Sequence, residues 1–306
     1  MYSANSHINY QLKIWLLILL SLIILIILVG GLTRLTDSGL SIVTWELFLG
    51  FLPPLTNDKW IDYFNLYKTI PEYQVQNFNM TLDEFKVIFW WEWSHRQLGR
   101  LIGLVTFLPL LYFTIKNGLW VVKRYSIIFL LVCLQGFFGW YMVSSGLVNR
   151  IDVSHYRLSI HLFTAFIILS IVFWNFLKLT QLQINQISIK SFFIKFFLVL
   201  LFMQLIIGAF VSGMDAGTIY NTWPLMGVSY FPDDSKIIEF LDIAVFDNPS
   251  IVQFLHRNLA YLIMIVYIFL LISIFKETNK IFRKPILIIG ISLFLQVVLG
   301  ILTILS

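Results

Sequence analysis

Seven long apolar runs divide the sequence, and each could cross the hydrocarbon core of a membrane as a helix. A core of about 30 Å needs roughly 20 predominantly apolar residues in helical conformation. The runs lie at about 13–32, 97–115, 124–145, 158–178, 192–212, 252–275 and 285–305. The pattern predicts an all-α fold, a polytopic membrane helix bundle with seven spans.

The two halves of the chain repeat one another. Five residues recur 178 positions later, namely Gly30, Asp37, Gly39, Thr44 and Trp45 as Gly208, Asp215, Gly217, Thr222 and Trp223. A second set recurs at an offset of 161, namely His95, Arg96, Leu98, Gln135 and Gly139 as His256, Arg257, Leu259, Gln296 and Gly300. Repetition in the same direction predicts tandem copies of one helical unit.

This repeat predicts the domain boundaries and also a missing element. Residues 1–180 form an N-terminal four-helix half, and residues 181–306 form a C-terminal half with three helices. A partner of His161 at the same offset would lie near position 322, beyond Ser306. We therefore expect two tandem four-helix repeats, with the eighth helix and its histidine missing from this sequence.

Composition and charge fix the class of protein and its orientation. With 59% hydrophobic and 12% charged residues, the chain has more apolar surface than a soluble domain of this size could bury. With the N-terminus inside, all acidic residues except Glu277 fall on the outer side, and the inner segments are rich in lysine and arginine. By the positive-inside rule the N-terminus is cytoplasmic. The net charge of +5 thus reflects topology and not nucleic-acid binding.

The N-terminal segment and the cysteine content bear on the cellular compartment of the protein. The first apolar run lacks a small-residue cleavage site and the N-terminal segment does not resemble a transit peptide, so we interpret the run as a retained helix. The expected location is a bacterial inner membrane, in contact with lipid. The lone Cys133 supports neither a disulfide nor a thiolate metal site.

Two long outer segments interrupt the helices, at about 33–93 and 213–251. Segments of this length are usually functional. The first contains an amphipathic stretch, Thr81 to Trp93, in which Thr81 and Glu84 have the spacing of a helix capping box. A lid over the outer end of the bundle and an aromatic anchor at the headgroups both explain this stretch.

Three of the five histidines are candidate ligands. His95 and His256 stand at the outer entrance of a helix, and His161 lies just inside the fourth span, at a similar depth. Ionisable groups in spans are costly and usually face the bundle interior. Six residues separate His155 from His161, about 120° around a helix, so we expect His155 to be a solvated or lid residue. We assign His7 no role.

The arrangement of these histidines favours haem iron over zinc. Zinc normally requires three or four close ligands. One histidine from each of two facing helices suits the two axial positions of haem. The expected pairs are His95 with His161 in the first half, and His256 with the residue near 322 in the second.

Charged residues accompany the candidate ligands. Glu92 precedes His95 by three residues and would share its helix face, where it could act as an acid or base, or could simply be an exposed first-turn glutamate. Arg96, Arg100 and Arg257 stand at the same helix ends. Charge-assisted bonds to haem propionates and contacts with lipid phosphates both account for these arginines.

Several of these segments resemble a known family. They are GGLTRLTDSGLSIVTW from Gly30, EWSHRQLGR from Glu92, HLFTA from His161, SGMDAGTIYNTWPLM from Ser212 and FLHRNLAY from Phe254. They resemble haem A synthases of the COX15/CtaA family, in the alphaproteobacterial and mitochondrial form that lacks paired loop cysteines. The resemblance covers nearly the whole chain.

The resemblance implies an activity and assigns roles. It implies oxidation of the C8 methyl of haem O to a formyl group, through two hydroxylations and loss of water, giving haem A for cytochrome oxidase. His95 and His161 match the substrate haem ligands, His256 matches a ligand of the haem b cofactor, and Glu92 matches the candidate catalytic carboxylate. Protohaem farnesyltransferase, which makes haem O, is the implied partner.

Other functions remain open from the residues alone. The chain could be a non-catalytic membrane protein that binds haem b or assists assembly, or a b-type electron carrier. A carrier would place its haems at different depths, whereas these candidate ligands lie near one surface. A transporter would show polar groups at the membrane midplane, and the spans carry few. The oligomeric state, a homo-oligomer included, also stays open.

Overall fold

The fold is known from a computed structural model, which describes residues 2–46, 49–148, 150–180 and 191–306. Two short helices, α2 (Asn57–Tyr67) and α3 (Pro71–Val75), lie in the first outer segment. The long helices are α1 (Tyr2–Leu35), α4 (Leu82–Asn117), α5 (Trp120–Gly146), α6 (His155–Leu179), α7 (Ser191–Gly213), α8 (Pro249–Lys276) and α9 (Arg283–Leu305).

The prediction of a helical bundle with seven spans is confirmed. Within the described ranges, all seven long helices have the length and apolar composition needed to cross a membrane. Each contains one of the predicted apolar runs. The chain is therefore a multi-pass membrane protein.

Helix α4 begins well before the apolar run that it contains. Thr81 caps it, with the side chain of Glu84 returning to the Thr81 backbone N–H in the predicted capping box. Its 36 residues span roughly 54 Å at 1.5 Å per residue, more than the hydrocarbon core requires. The amphipathic stretch from Thr81 to Trp93 is therefore the outer end of the helix that carries His95.

The described chain forms two compact units, which divide between α6 and α7. In the first, α1 and α5 each contact both α4 and α6, so the four helices close into a ring around a core that includes Leu16, Ile102 and Tyr125. In the second, α8 contacts both α7 and α9. By the sequence repeat, α7, α8 and α9 correspond to α1, α4 and α5.

The first outer segment is packed and not extended. Phe64 and Tyr67 of α2 join Phe85 and Phe89 of α4 in an apolar cluster with close ring contacts. Ile42 belongs to the same cluster, which places the segment that follows α1 against α4. This packing covers the outer end of α4 near Glu92, which is only 3% exposed.

Candidate functional site

Each of the three candidate histidines packs against a glycine of a neighbouring helix. A Cβ atom built on Gly30 of α1 would lie 2.8 Å from Cε1 of His95, too close to be accommodated without movement. The equivalent distances are 3.1 Å from Gly139 of α5 to His161 and 3.1 Å from Gly208 of α7 to His256. The glycines thus leave room for imidazole rings between the helices.

Residues that repeat in the sequence contact one another in the structure. Gly30 and Gly208 are related by the first offset, His95 and His256 by the second, and each glycine meets the histidine of its own unit. Each glycine therefore recurs because the histidine of its unit packs against it.

In the first unit, His95 and His161 lie on α4 and α6, two helices that both contact α1 and α5. Nδ1 of His95 is buried and has no hydrogen-bond partner among the described residues. In the second unit, Nδ1 of His256 is buried in the same way. Buried polar atoms in native proteins are normally satisfied, so these nitrogens indicate ligands or partners that the protein chain itself does not supply.

The donor set fits haem. No group of three or more His, Cys, Asp or Glu side chains in the described ranges could hold a metal ion, which is not the arrangement of a zinc site. Imidazoles on neighbouring helices, each packed against a glycine, are suitable ligands for haem iron. His95 and His161 would hold one such group, and His256 would hold another.

Two glutamines accompany the histidines, and sequence reasoning assigned them no role. Nε2 of Gln135 on α5 donates to the backbone carbonyl of His161 at 2.9 Å and lies 3.1 Å from its Nδ1. Nε2 of Gln204 on α7 donates to the carbonyl of His256 at 3.2 Å and lies 3.3 Å from its Nε2. Gln135 and Gln204 each precede the contacting glycine by four residues, a spacing visible in the sequence.

The same glutamine and glycine spacing occurs on α9, at Gln296 and Gly300. Nothing in the described structure lies within 4 Å of a Cβ built on Gly300. The histidine that the repeat predicts near position 322 lies outside the described residues and stays a prediction.

Arg96 and Arg257 hold equivalent backbone segments. The guanidinium group of Arg96 donates to the carbonyls of Ile42 and Thr44, at 2.7 and 3.1 Å. Arg257 donates to the carbonyls of Tyr220 and Thr222, at 2.9 and 2.8 Å. These carbonyls are 178 positions apart, so each arginine fastens the segment after the first helix of its unit to the helix carrying the histidine. Contact with haem propionates stays a prediction for both arginines.

The repeated aspartates belong to turns. Asp37 and Asp215 follow α1 and α7 with φ of 45° and 50°, in the left-handed region that aspartate tolerates better than most residues. Asp37 also accepts from Arg34 at 3.0 Å. Turn geometry therefore accounts for both residues without a chemical role.

Glu92 is held more firmly than any other candidate. Its Oε1 accepts from Nε and Nη2 of Arg96, at 3.0 and 2.6 Å. Its Oε2 accepts from the hydroxyl of Ser41 and the backbone N–H of Ile42, both at 2.7 Å. The reading of Glu92 as an exposed first-turn residue is wrong, because the packed outer segment buries it. The carboxylate of Glu92 thus accepts from four donors.

The second unit has a neutral residue at the position of Glu92. Gln253 lies 161 positions later, is 2% exposed, and donates Nε2 to the carbonyls of Gly217 and Tyr220, at 3.3 and 3.1 Å. The two units thus share a histidine, an arginine and a clamped segment, and they differ in whether a carboxylate is present. At this position, therefore, the first unit has a carboxylate and the second unit has none.

His155 and Arg100 are the remaining candidate residues. His155 is 4% exposed at the start of α6, so the expectation of a solvated residue was wrong. The outer segments pack over the ends of the helices, which helical periodicity cannot predict. Arg100 donates Nη2 to the carbonyl of Glu46 at 2.7 Å, which gives part of its guanidinium group a protein partner.

Comparison with known proteins now assigns the family. The family model of COX15-CtaA, described as cytochrome oxidase assembly protein, matches residues 13–306. The chain belongs to the COX15-CtaA family. It is 49% identical to the Heme A synthase of Pelagibacter ubique over 99% of this chain and 90% of that protein. No solved structure matches this COX15-CtaA protein.

More distant relatives carry the same name. The chain is 43% identical to the Heme A synthase of Rickettsia bellii, over 95% of this chain and 88% of the relative. It is also 43% identical to that of Maricaulis maris, over 95% and 86%. The resemblance seen in the motifs is thereby confirmed for this COX15-CtaA protein at the level of the family.

The glycine contact gives a direct test of the first site in this COX15-CtaA protein. We expect Gly30→Ala to displace the His95 ring and to weaken haem binding in the first unit about tenfold or more. Haem retained by the purified variant, measured by its absorption spectrum, checks this. Gly31→Ala is the matched control, because nothing lies within 4 Å of its Cβ. Equal haem loss in both variants would show a general effect on α1.

Proposed function

We propose that this protein is a haem A synthase, which oxidises the C8 methyl of haem O to a formyl group. The difference between Glu92 and Gln253 supports this most directly, since it gives a carboxylate to only one of two similar sites. Two successive hydroxylations followed by loss of water complete the conversion. The names of the relatives, Heme A synthase, support the same product.

In this proposal the two units have different tasks. His95 and His161 hold haem O as the substrate, and His256 holds haem b as the resident cofactor, with the partner predicted near position 322. Bound haem b would supply redox chemistry to the second unit. Arg96 and Arg257 hold the segments after α1 and α7 against the helices that carry the histidines, and they would also bind the haem propionates.

Glu92 acts beside the substrate position. It shares a helix with His95, three residues away, and its carboxylate is fixed by Arg96, Ser41 and the Ile42 backbone. A fixed carboxylate in a water-poor site can accept a proton from the substrate or from a water molecule and later return it. Because these contacts already orient the Glu92 carboxylate, it does not need to rearrange during the reaction.

The cellular setting follows from the same proposal. The protein lies in a bacterial inner membrane with a cytoplasmic N-terminus, and the histidine sites lie toward the periplasmic side. Protohaem farnesyltransferase is the proposed partner, since it supplies haem O. A hydrophobic substrate such as haem O would reach the site within the lipid.

Pigment extraction from cells tests the function. We expect haem A in bacteria that express this chain together with a source of haem O, and none when haem O is withheld. Chromatography of the extracted haems measures both. Cells with haem O and an empty vector are the control. Bound haem b without conversion would indicate a non-catalytic binding or assembly protein and would contradict the proposed reaction.

A further inference from the structure

Two glutamines inside membrane spans hold two of the three candidate histidines from a neighbouring helix. Nε2 of Gln135 donates to the backbone carbonyl of His161 at 2.9 Å, and Nε2 of Gln204 donates to that of His256 at 3.2 Å. The same two nitrogens lie 3.1 and 3.3 Å from a ring nitrogen of these histidines. Polar side chains in spans typically bond across helices in this way. Each glutamine therefore restrains both the backbone and the ring of one histidine.

The amide oxygens of these glutamines indicate a further hydrogen bond. Oε1 of Gln135 and Oε1 of Gln204 are buried and have no hydrogen-bond partner among the residues described. A histidine that binds iron through one ring nitrogen carries a proton on the other, and this N–H normally donates to a neighbouring acceptor. Each amide oxygen is two bonds from the nitrogen that lies beside the ring, so it is well placed to accept. The glutamines thus suit histidines that bind iron.

His95 has no such glutamine. The position equivalent to Gln204 in the first unit lies 178 residues earlier and is Ile26. Ile26 packs against the core of this unit, and its Cδ1 atom lies 3.8 Å from a Cβ built on Gly99, one helical turn after His95. Nδ1 of His95 is buried without a hydrogen-bond partner in the described part of the chain. An apolar side chain therefore replaces the amide that restrains His256.

The two units differ in how many glutamines they have at these positions. Gln296 on α9 is the equivalent of Gln135, at the offset of 161. The second unit thus has a glutamine at both positions, Gln204 and Gln296, whereas the first has Gln135 and Ile26. In the proposed function the second unit keeps its haem, and the first must take up a substrate and release a product. A site with one restrained and one unrestrained ligand suits such exchange.

We propose that Gln135 and Gln204 are positioning residues that fix His161 and His256 as permanent haem ligands, and that His95 is the exchangeable ligand of the first site. His161 keeps its position while haem enters and leaves, and His95 moves aside. The inference rests on the proposed function only in assigning one haem to His95 and His161.

Haem binding to two variants tests this asymmetry without measuring activity. The probe is haem O, titrated into purified protein that also carries His256→Ala, so that the first unit alone contributes the signal. We expect His161→Ala to weaken binding about tenfold more than His95→Ala, because only His161 is restrained by a glutamine. Equal losses in the two variants, or a larger loss in His95→Ala, would overturn the proposal.

Carbon monoxide identifies the ligand that moves aside, because it binds ferrous haem where an axial position opens. In the same His256→Ala background, we expect the C–O stretching band of the first-unit complex to match that of His95→Ala, since His161 is the remaining ligand in both. Gln135→Leu frees His161 as well, so its complex should show two bands. A first-unit band that differs from the His95→Ala band, or a single unchanged band in Gln135→Leu, would contradict the proposal.

Ile26→Gln is the reciprocal variant, because it gives the first unit the amide that the second unit has. We expect it to lower the affinity of the reduced first-unit haem for carbon monoxide about tenfold. Leu25→Gln is the matched control, since Leu25 is the neighbouring residue of α1 and is 44% exposed. It should leave the affinity unchanged. The same affinity in Ile26→Gln and Leu25→Gln would show that the amide does not restrain the ligand.

Activity separates this inference from the proposed function. Absence of haem A from cells with the wild-type chain, with the binding asymmetry intact, would reject only the proposed reaction. Haem A formation together with equal binding losses in His95→Ala and His161→Ala would reject only the exchangeable role of His95.

Discussion

His95→Ala and His161→Ala are each expected to abolish conversion of haem O to haem A while the haem of the second unit is retained. The two histidines belong to α4 and α6 of the first unit, and each packs against a glycine of a neighbouring helix. In the proposed assignment, losing either imidazole would remove one of the two residues that hold the substrate haem. Chromatography of extracted haems measures conversion, and the absorption spectrum of the purified variants measures the haem that remains.

Two histidine variants serve as controls for this result. His256→Ala should show the opposite spectrum, with the second-unit haem lost and the first unit still able to bind haem O. His155→Ala removes a buried histidine from the same helix as His161, and it should leave both haem signals in place. Equal loss of all haem from the His95, His161 and His256 variants would contradict an arrangement with two sites.

The sequence predicted the membrane spans and the repeated histidines for clear physical reasons. Long apolar runs indicate membrane-spanning helices, because a helix satisfies its backbone hydrogen bonds within one segment. The repeat identified Gly30 and Gly208 as equivalent positions, and likewise His95 and His256. In each unit the glycine contacts the histidine. The repeat did not show which of its residues serve the site and which serve the backbone, since Asp37 recurs at a left-handed turn.

Interactions with backbone atoms could not be predicted from side-chain patterns. Arg96 and Arg257 are recognisable as a repeated pair, yet their partners are carbonyls of the segment after the first helix of each unit. Every residue has a backbone carbonyl, so the sequence cannot reveal which one an arginine binds. The partners predicted from the sequence were haem propionates or lipid phosphates. The spacing of Gln204 and Gly208 was visible, but only the fold shows that Gln204 contacts His256.

Burial in the outer segment was the other property that sequence could not supply. Glu72 and His155 stand in polar, irregular surroundings along the chain, which usually indicates exposure. Packing of α2 and α3 against α4 makes an apolar cluster around Tyr67 and Phe85 outside the predicted spans. Because of this packing, Glu72 on α3 is only 4% exposed.

The contrast between Glu92 and Gln253 leads to the prediction with the sharpest readout. Glu92→Gln is expected to reduce haem A formation by about 10²- to 10⁴-fold, the range typical of losing a positioned acid or base. Both haem signals should persist, because His95, His161 and His256 are unchanged. The second unit indicates that the fold tolerates the change, since Arg257 still fastens its segment beside a glutamine.

This substitution also has a structural cost, which must be separated from the catalytic one. The glutamine amide places a donor where Glu92 accepts from Arg96 or from the Ile42 N–H, and this mismatch costs about 1–3 kcal/mol. Thermal unfolding of the purified variant measures that cost. Glu84→Gln, on the same helix but exposed, is the control for glutamine itself. Full activity in a destabilised Glu92→Gln protein would show that Glu92 only anchors the outer segment, whereas lost activity with both haems bound would assign the chemistry to its carboxylate.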